Sequence, residues 1–586
     1  MHTFIMGILI LLAGGYFYGR FCDKIFGPDD RKTPAYTKQD GVDYVPMPKW
    51  KNSLINLLNI AGTGPILGPI QGILFGPIAF ITIPIGCVIG GAVHDYFSGM
   101  ISVREGGIQM PEVIKENTNS LIHKIYTVFV CIVLFLIGVV FIYTPGDIAA
   151  TQLFGFSGAA SDPATWIIYS VIFAYYLIAT VFPIDKIIGR IYPVFGAVLL
   201  LSALGVFVAL FFKGYPLIDM VDAKNGAVTT SGLPIGYAII VCVVGMILVL
   251  WLHRRIYTRL KLRDTARKIH FAVGFVIILG AINALMVLVS KGGYLMVDIW
   301  ESWSLKGFDF GDYFQSEHFI PTFFVTVACG ILSGFHSTQI TLVTRTMKSE
   351  KEGRSTFYNM MIAEGFIAMV WAAATMAMIG IGVENSGITM EMTESGWEYF
   401  ANVGGALTQI SATSVVGVVC KNMLGPVGGI IAVIGVIVLP VTSGDTALRS
   451  LRLILTDVFH LKQNNNKKRI SLAIPVFAAV YAVLIWAKND PNGFNTIWKY
   501  FGWSNQTLAV FALASITIWF IQHDRKKYLW VPLIPFAFYS FITSSYLIGA
   551  KIGLNLPYNI SMAVGAVFTV VVVAAALIRG NRKTGV

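Results

Sequence analysis

Residues 54–72 read as one membrane-spanning stretch, yet Gly62-Thr63-Gly64-Pro65-Ile66-Leu67-Gly68-Pro69 puts three glycines and two prolines into eight positions. On soluble-helix scales an interior Gly costs about 1 kcal/mol and an interior Pro about 3, roughly 9 kcal/mol for the set. A continuous helix is therefore not expected. Inside a bilayer, non-helical backbone survives only where protein or a wet cavity satisfies its freed N–H and C=O groups. Interrupted helices of this kind build the substrate and ion sites of secondary transporters.

The rest of the chain fits such a setting. Hydrophobic residues make up 55% of the 586 and charged residues only 13%, and the mean hydropathy is +0.70. Soluble domains usually carry about 25% charged residues. The expected class is an all-α polytopic membrane protein forming a single membrane domain over 1–586. The six cysteines have no C-x-x-C or framework spacing and read as small membrane-core residues.

Fifteen segments are long and apolar enough, or nearly so, to cross a bilayer. They are 3–20, 54–72, 78–102, 122–143, 166–182, 190–212, 233–251, 270–290, 320–344, 357–382, 425–447, 470–487, 497–521, 530–549 and 558–579. The Gly-, Ser- and Thr-rich stretch 404–422 reads as a helix lying in or on the membrane. With the N-terminus outside, 35 of the 43 Lys and Arg residues fall in or beside inner loops, the densest of them at 253–268. The longest outer loops, near 213–232, 291–319 and 384–403, are acidic or neutral. This is the positive-inside pattern, so the net charge of +12 reflects topology and anionic lipid rather than nucleic acid. The first segment lacks preceding basic residues and is not expected to be a cleaved signal peptide. An outside N-terminus and a cytoplasmic C-terminus follow. No G-x-x-x-x-G-K-[ST] loop occurs, which argues against a nucleotide-driven pump. No H-E-x-x-H, H-x-x-H or nucleophile elbow occurs, which argues against a metal site or a hydrolase.

A second interruption falls in 320–344, at Ala328-Cys329-Gly330-Ile331-Leu332-Ser333-Gly334-Phe335-His336-Ser337-Thr338-Gln339. The first interrupted span is the second and the other is the ninth. An offset of seven makes them antiparallel, as an inverted repeat requires. Gly62, Thr63, Gly64, Ser333, Gly334, His336, Ser337 and Gln339 are the candidate substrate-binding residues. The three glycines are expected in unwound backbone facing a shared cavity.

Other spans carry groups that are costly in lipid: His94-Asp95, Glu364, Thr442-Ser443-Gly444-Asp445-Thr446 and Asn505-Gln506. His94, Asp95 and Glu364 are candidates for a proton relay. Asp95 has an alternative partner in Arg104, Glu364 has an alternative structural role, and Asp445 precedes Arg449 by one helical turn. Asn505 and Gln506 read as interhelical hydrogen-bonding residues.

Taken together, the motifs resemble the carbon starvation protein A family. The matching pieces are Asp40-Gly41-Val42-Asp43-Tyr44-Val45-Pro46, Ile60-Ala61-Gly62-Thr63-Gly64-Pro65 with Gly68-Pro69, Gly90-Gly91-Ala92-Val93-His94-Asp95, Ser102-Val103-Arg104 and 328–339. They run in order across about 40–510, with additional C-terminal helices near 530–579. Family members often carry a His-His pair just before the Ile-Ala-Gly motif; this chain has Asn56-Leu57-Leu58-Asn59 there.

The resemblance implies a multi-pass inner-membrane secondary transporter of the carbon-starvation response. It would import a short peptide, pyruvate or amino acid with a proton or sodium ion, on a core of two inverted five-helix repeats. In sodium-coupled relatives of that wider superfamily, hydroxyls of core helix eight join carbonyls of the first broken helix around the cation. Here that implies Thr442, Ser443 and Thr446 with Ala61 and the carbonyls near Asn59 to Gly62 for a sodium ion, whereas a coupling proton would sit on Asp445. The resemblance implies neither an enzyme nor a bound cofactor beyond the coupling ion. The expected partners are a small-molecule substrate and the lipid bilayer. A channel or a nutrient sensor is the alternative reading, but the polar groups cluster near two breaks rather than along a pore, and no output domain follows the helices.

Overall fold

The computed structural model describes residues 2–41, 44–76, 78–181, 184–212, 218–221, 228–230, 319–393, 396–403, 405–460, 466–490 and 493–583. The spans expected at 233–251 and 270–290, the basic loop 253–268 and most of the outer loops 213–232 and 291–319 lie outside the described residues. Among the described residues, nine helices are long and apolar enough to cross a membrane, and one bent pair adds a tenth.

Helix α1 is His2–Phe26. The bent pair is α2 (Lys49–Ala61) and α3 (Gly64–Gly72), whose axes turn by 48° across the break. Helix α4 (Ala79–Arg104) contains a π-turn at Cys87–Gly91. Next come α5 (Ser120–Leu153), α6 (Pro163–Val181) and α7 (Ile184–Phe212). The second interrupted span is α8 (Phe319–Thr326), α9 (Ala328–Ile331) and α10 (Gly334–Thr344). Then follow α11 (Asn359–Gly380), α12 (Ala412–Val458), α13 (Asn466–Asn489), α14 (Gly493–Gln522), α15 (Trp530–Gly549) and α16 (Tyr558–Lys583).

Two expectations need correction. The chain is not wholly helical: β1 (Ile218–Val221) pairs with β2 (Val228–Thr230), and β3 (Ile388–Thr393), β4 (Gly396–Val403) and β5 (Ala406–Gln409) form an antiparallel meander. Alternating polar and apolar residues such as Thr389, Met390, Glu391 and Met392 give that segment the period of a strand. The stretch 404–422 is likewise not one helix apart from its neighbours. It contains β5 and then the start of α12, which continues past a single non-helical residue, Gly425 (φ 70°, ψ −175°), to Val458. The Gly425-Pro426 pair explains the bend, since only Gly tolerates that φ and Pro follows as the first residue of the resumed helix.

Both interrupted helices sit inside the bundle. Helix α2 packs on α7, α10 and α12; α3 packs on α11 and α9; α10 packs on α4, α14 and α2. Small residues permit the closest of these approaches. A Cβ on Gly91 would lie 2.3 Å from the Ile331 carbonyl oxygen, and one on Gly86 would lie 2.2 Å from the Ile331 side chain. These glycines let the π-turn of α4 lie against the residues just before the second break, which brings His94 and Asp95 beside it.

The two ends of the first interrupted helix are fastened differently. At its start, Asn52 donates to the carbonyls of Met47 (3.3 Å) and Thr346 (3.1 Å) and accepts from the Thr346 hydroxyl (2.7 Å). Close by, the buried Glu350 accepts Arg104 Nε and Nη2 at 3.2 and 3.1 Å and the Asp29 N–H at 3.2 Å, with Arg31 Nε 3.6 Å away. Arg104 also stacks over Phe26 at 3.9 Å. Arg104 thus pairs with Glu350 and not with Asp95. In the exposed loop beside it, the hydrogen bonds from Arg31 hold the Asp29 carboxyl below the usual carboxylate range. At the far end, the buried Tyr399 hydroxyl of β4 donates to the Ile70 carbonyl and Trp498 Nε1 donates to Gln71 (3.0 Å).

Removing one partner of a buried ion pair strands the other. In a Thr346→Cys background, Glu350→Ala should raise the maleimide reactivity of this buried position at least fivefold in detergent. Unchanged reactivity would mean that the Arg104–Glu350 contact does not hold this end shut.

Candidate transport site

At the first break the backbone leaves the helix at Gly62 (φ 43°, ψ −149°), a conformation that disfavours any side chain. A Cβ there would also meet the Phe141 ring at 2.7 Å. The freed groups find a partner on α12. The Gly62 N–H donates to Ser443 Oγ at 3.1 Å, and the Ser443 hydroxyl donates to the Leu58 carbonyl at 2.8 Å. Thr442 Oγ1 lies 3.4 Å from the same carbonyl and donates to Leu439 at 2.8 Å. The partner carbonyl is therefore Leu58, just ahead of the expected run from Asn59 to Gly62. Ala61 closes α2 and is buried. Thr446 turns back to the Ser443 carbonyl at 3.0 Å. Asp445, fully buried, lies 3.9 Å from Arg449, whose Nη2 donates to the Ala179 carbonyl at 2.5 Å. Thr63 is buried and its hydroxyl has no hydrogen-bond partner among the described residues.

The second break is an extended pair, Leu332 (φ −158°, ψ 135°) and Ser333 (φ −137°, ψ 121°). Adjacent side chains of α14 serve it. Asn505 Oδ1 accepts the Phe335 N–H (2.8 Å) and the Ser333 hydroxyl (3.1 Å), while its amide group donates to Cys329 Sγ at 3.3 Å. Gln506 donates to the carbonyls of Leu332 and Phe324, both at 3.1 Å. One amide supplies the acceptor that the new helix start needs, and the other supplies donors to carbonyls left by the old one.

The glycines Gly64 and Gly334 are not in unwound backbone. Each is the first residue of a second half-helix, with its open face packed against a neighbour. A Cβ on Gly64 would fall 1.9 Å from Cys329 Cβ, and one on Gly334 would fall 2.2 Å from the Ala509 nitrogen and 2.4 Å from the Asn505 carbonyl oxygen. They allow close packing instead of facing open space. Ser337 donates to the Gly334 carbonyl at 2.7 Å, and Gln339 donates to Thr338 at 2.9 Å with its carbonyl oxygen unbonded.

A chain of four buried titratable groups runs past the second break. Asp95 accepts His94 Nδ1 on one oxygen at 2.8 Å and His336 Nδ1 on the other at 2.9 Å. On the far side of the His336 ring, Nε2 stands 3.5 Å from Glu364 Oε2, too long for a good hydrogen bond. All four side chains are fully buried. The His336 ring also reaches the backbone of Ile60 at the end of α2. Residues assigned separately to a relay and to substrate binding are thus contiguous, with His336 in the middle. They form a line instead of converging: no group of three His, Cys, Asp or Glu among the described residues could hold a metal ion.

A family model described as carbon starvation protein CstA matches residues 1–396 and 371–546. The chain belongs to this family. Among similar proteins, an uncharacterized membrane protein of Haemophilus influenzae is 35% identical over 64% of this chain and 91% of its own length. The peptide transporter CstA of Escherichia coli is 26% identical over 91% of this chain and 78% of its own. The pyruvate/proton symporter BtsT of the same organism is 26% identical over 92% and 80%. The named members are transporters, not enzymes.

Within this CstA-family chain, Asn505 and Gln506 bond between helices as their sequence predicts, but their partners at the second break and the role of the Leu58 carbonyl are not evident from the sequence. The adjacent Asn-Gln pair inside an apolar span was the available signal, but its target lies some 170 residues away in sequence. Overpacking of this kind typically costs about 1–3 kcal/mol. Gly334→Ala should therefore lose at least tenfold in transport while still reaching the membrane. Gly90→Ala, whose Cβ would meet Tyr539 at an ordinary 3.7 Å and Pro535 at 4.0 Å, should keep it. Equal uptake by the two variants would show that the contact at Gly334 does not matter.

Proposed function

We propose that this chain is a secondary active importer of a small carboxylate-bearing nutrient (a short peptide, pyruvate or an amino acid) driven by a proton or sodium gradient. The observation that carries the reading is the pair of interrupted helices, each break bonded by side chains of another helix and both touched by one buried ionic chain. Half-helix starts near Thr63-Gly64 and Ser333-Gly334 present positive dipole ends suited to a carboxylate. The relatives named as a peptide transporter and as a pyruvate/proton symporter support the same substrate class.

On this reading the substrate lies between the breaks, contacted from Thr63, Ser333, His336, Ser337 and Gln339, while Gly62, Gly64 and Gly334 shape the breaks by close packing. A sodium ion would use the Ala61 carbonyl and the Thr442, Ser443 and Thr446 hydroxyls, whereas a proton would use Asp445 or the His94, Asp95, His336 and Glu364 groups. About fifteen spans, an inverted-repeat core, a bacterial inner-membrane location, an outside N-terminus and a cytoplasmic C-terminus complete the proposal. Alternating access would exchange the fastenings at the two ends of the first interrupted helix. Ile70 and Gln71 would be released for entry, and the Arg104–Glu350 pair for exit.

Reconstituted into liposomes, the protein should accumulate labelled pyruvate, alanine or dialanine above equilibrium under an inward proton or sodium gradient. An ionophore that collapses the gradient should abolish the accumulation. Fluxes that only run downhill, at rates far above transporter turnover, would replace the importer with a channel.

A further inference from the structure

Resting on the transport reading, we propose that the driving proton passes between His336 and Glu364, with Asp95 and His94 as the groups that orient and balance the His336 ring. Asp95 has both oxygens taken by imidazole Nδ1 atoms, at 2.8 and 2.9 Å. That fixes the ring of His336 and leaves Nε2 as its exchangeable position, since a hydrogen bond at one ring nitrogen sets the role of the other. Nε2 faces Glu364 Oε2 across 3.5 Å with the Ile60 backbone as its other neighbour, and neither Nε2 nor either Glu364 oxygen makes a hydrogen bond of ordinary geometry among the described residues.

The gap is about 0.5 Å longer than an ordinary N–H···O bond, so a small approach of α10 to α11 closes it. The transfer then balances. The N–H bond at His336 Nε2 breaks, an O–H bond forms at Glu364 Oε2, and the electron pair stays on the nitrogen. The ring is left neutral, with its remaining proton at Nδ1 donated to Asp95. The reverse step recharges the ring.

Position links this proton to movement. His336 lies in the first turn of α10, directly after the extended pair at 332–333, while its ring reaches Ile60 beside the first break. Asp95 belongs to α4 and Glu364 to α11. One ring therefore touches both interrupted helices and two intact ones, and its charge decides how strongly three of them are tied together. The other titratable side chains near Glu364 are Cys87 in the π-turn and Cys329 in α9; Cys87 Sγ already donates to the Met361 carbonyl at 3.3 Å. A buried carboxyl without a hydrogen bond is stable only when it holds a proton or faces a cation. His336 offers both alternatives. Ser443 differs, because its hydroxyl is already committed to Leu58 and Gly62.

Two assays on reconstituted full-length protein test this. Glu364→Gln should exchange labelled for unlabelled substrate at equal pH within about twofold of wild type, yet lose at least tenfold of the accumulation driven by a pH gradient. Asp95→Asn should lose both, since the ring is no longer held. Glu364→Gln that still accumulates substrate under a pH gradient would overturn the proposal. So would loss of both activities in Glu364→Gln protein that elutes as wild type, because Glu364 would then serve binding or folding. A substrate-free measurement separates this proposal from its parent. The pH-difference infrared spectra of wild type and Glu364→Gln should differ by one deuterium-sensitive carboxyl C=O band. Identical spectra overturn the proton site even if transport holds. Wild type that carries none of the three compounds defeats the transport reading instead.

Discussion

Backbone groups released inside a membrane protein must be bonded again, and in this chain the bonding is done by side chains from other helices. Each unsatisfied N–H or C=O in hydrocarbon would cost several kcal/mol. Ser443 takes the Gly62 N–H and gives its own proton to Leu58. Asn505 and Gln506 take the Phe335 N–H and serve the Leu332 and Phe324 carbonyls. The first break therefore depends on α12 and the second on α14. Neither interrupted helix can move against its supporting helix without exchanging these bonds for others, which ties local backbone geometry to the arrangement of the whole bundle.

The ionic chain adds a second constraint at the same level. Gly86 and Gly91 let α4 lie against Ile331, and that approach puts Asp95 within 2.9 Å of His336. The glycines, the break and the carboxylate thus form one packing unit. The first interrupted helix is held by unlike contacts at its two ends, a phenol and an indole at one and Asn52 bonded to Thr346 at the other, where four residues further along the Thr346 segment Glu350 is shared by arginines. The aromatic pair makes neutral hydrogen bonds to the helix end, whereas the Arg–Glu network carries charge-assisted ones, which are about twice as strong.

Both breaks were legible in the sequence because their causes are local. Five helix breakers in 62–69 and a Gly- and Ser-rich polar run at 328–339 disturb any helix, whatever surrounds them. The candidate polar residues were legible for the same reason, since a buried carboxylate or imidazole stands out in an apolar span. Their pairing was not. Sequence offers Asp95 a basic partner such as Arg104 on its own helix, while of its two actual partners His94 is adjacent and His336 lies 241 residues away. The meander at 388–409 was missed because short strands leave a weaker pattern than membrane helices. Gly64 and Gly334 were assigned to unwound backbone because composition marks a break without marking its residue; the turn is made by Gly62 in one case and by Leu332-Ser333 in the other.

The dependence of the breaks on foreign side chains can be measured directly with Ser443→Ala and Asn505→Ala, at matched protein levels, using whichever of pyruvate, alanine or dialanine the wild type carries. Stranding a buried donor costs about 1–3 kcal/mol, so each variant should transport at a tenth of the wild-type rate or less while remaining inserted in the membrane. Wild-type transport by both variants would contradict the claim that these side chains hold the interrupted helices open.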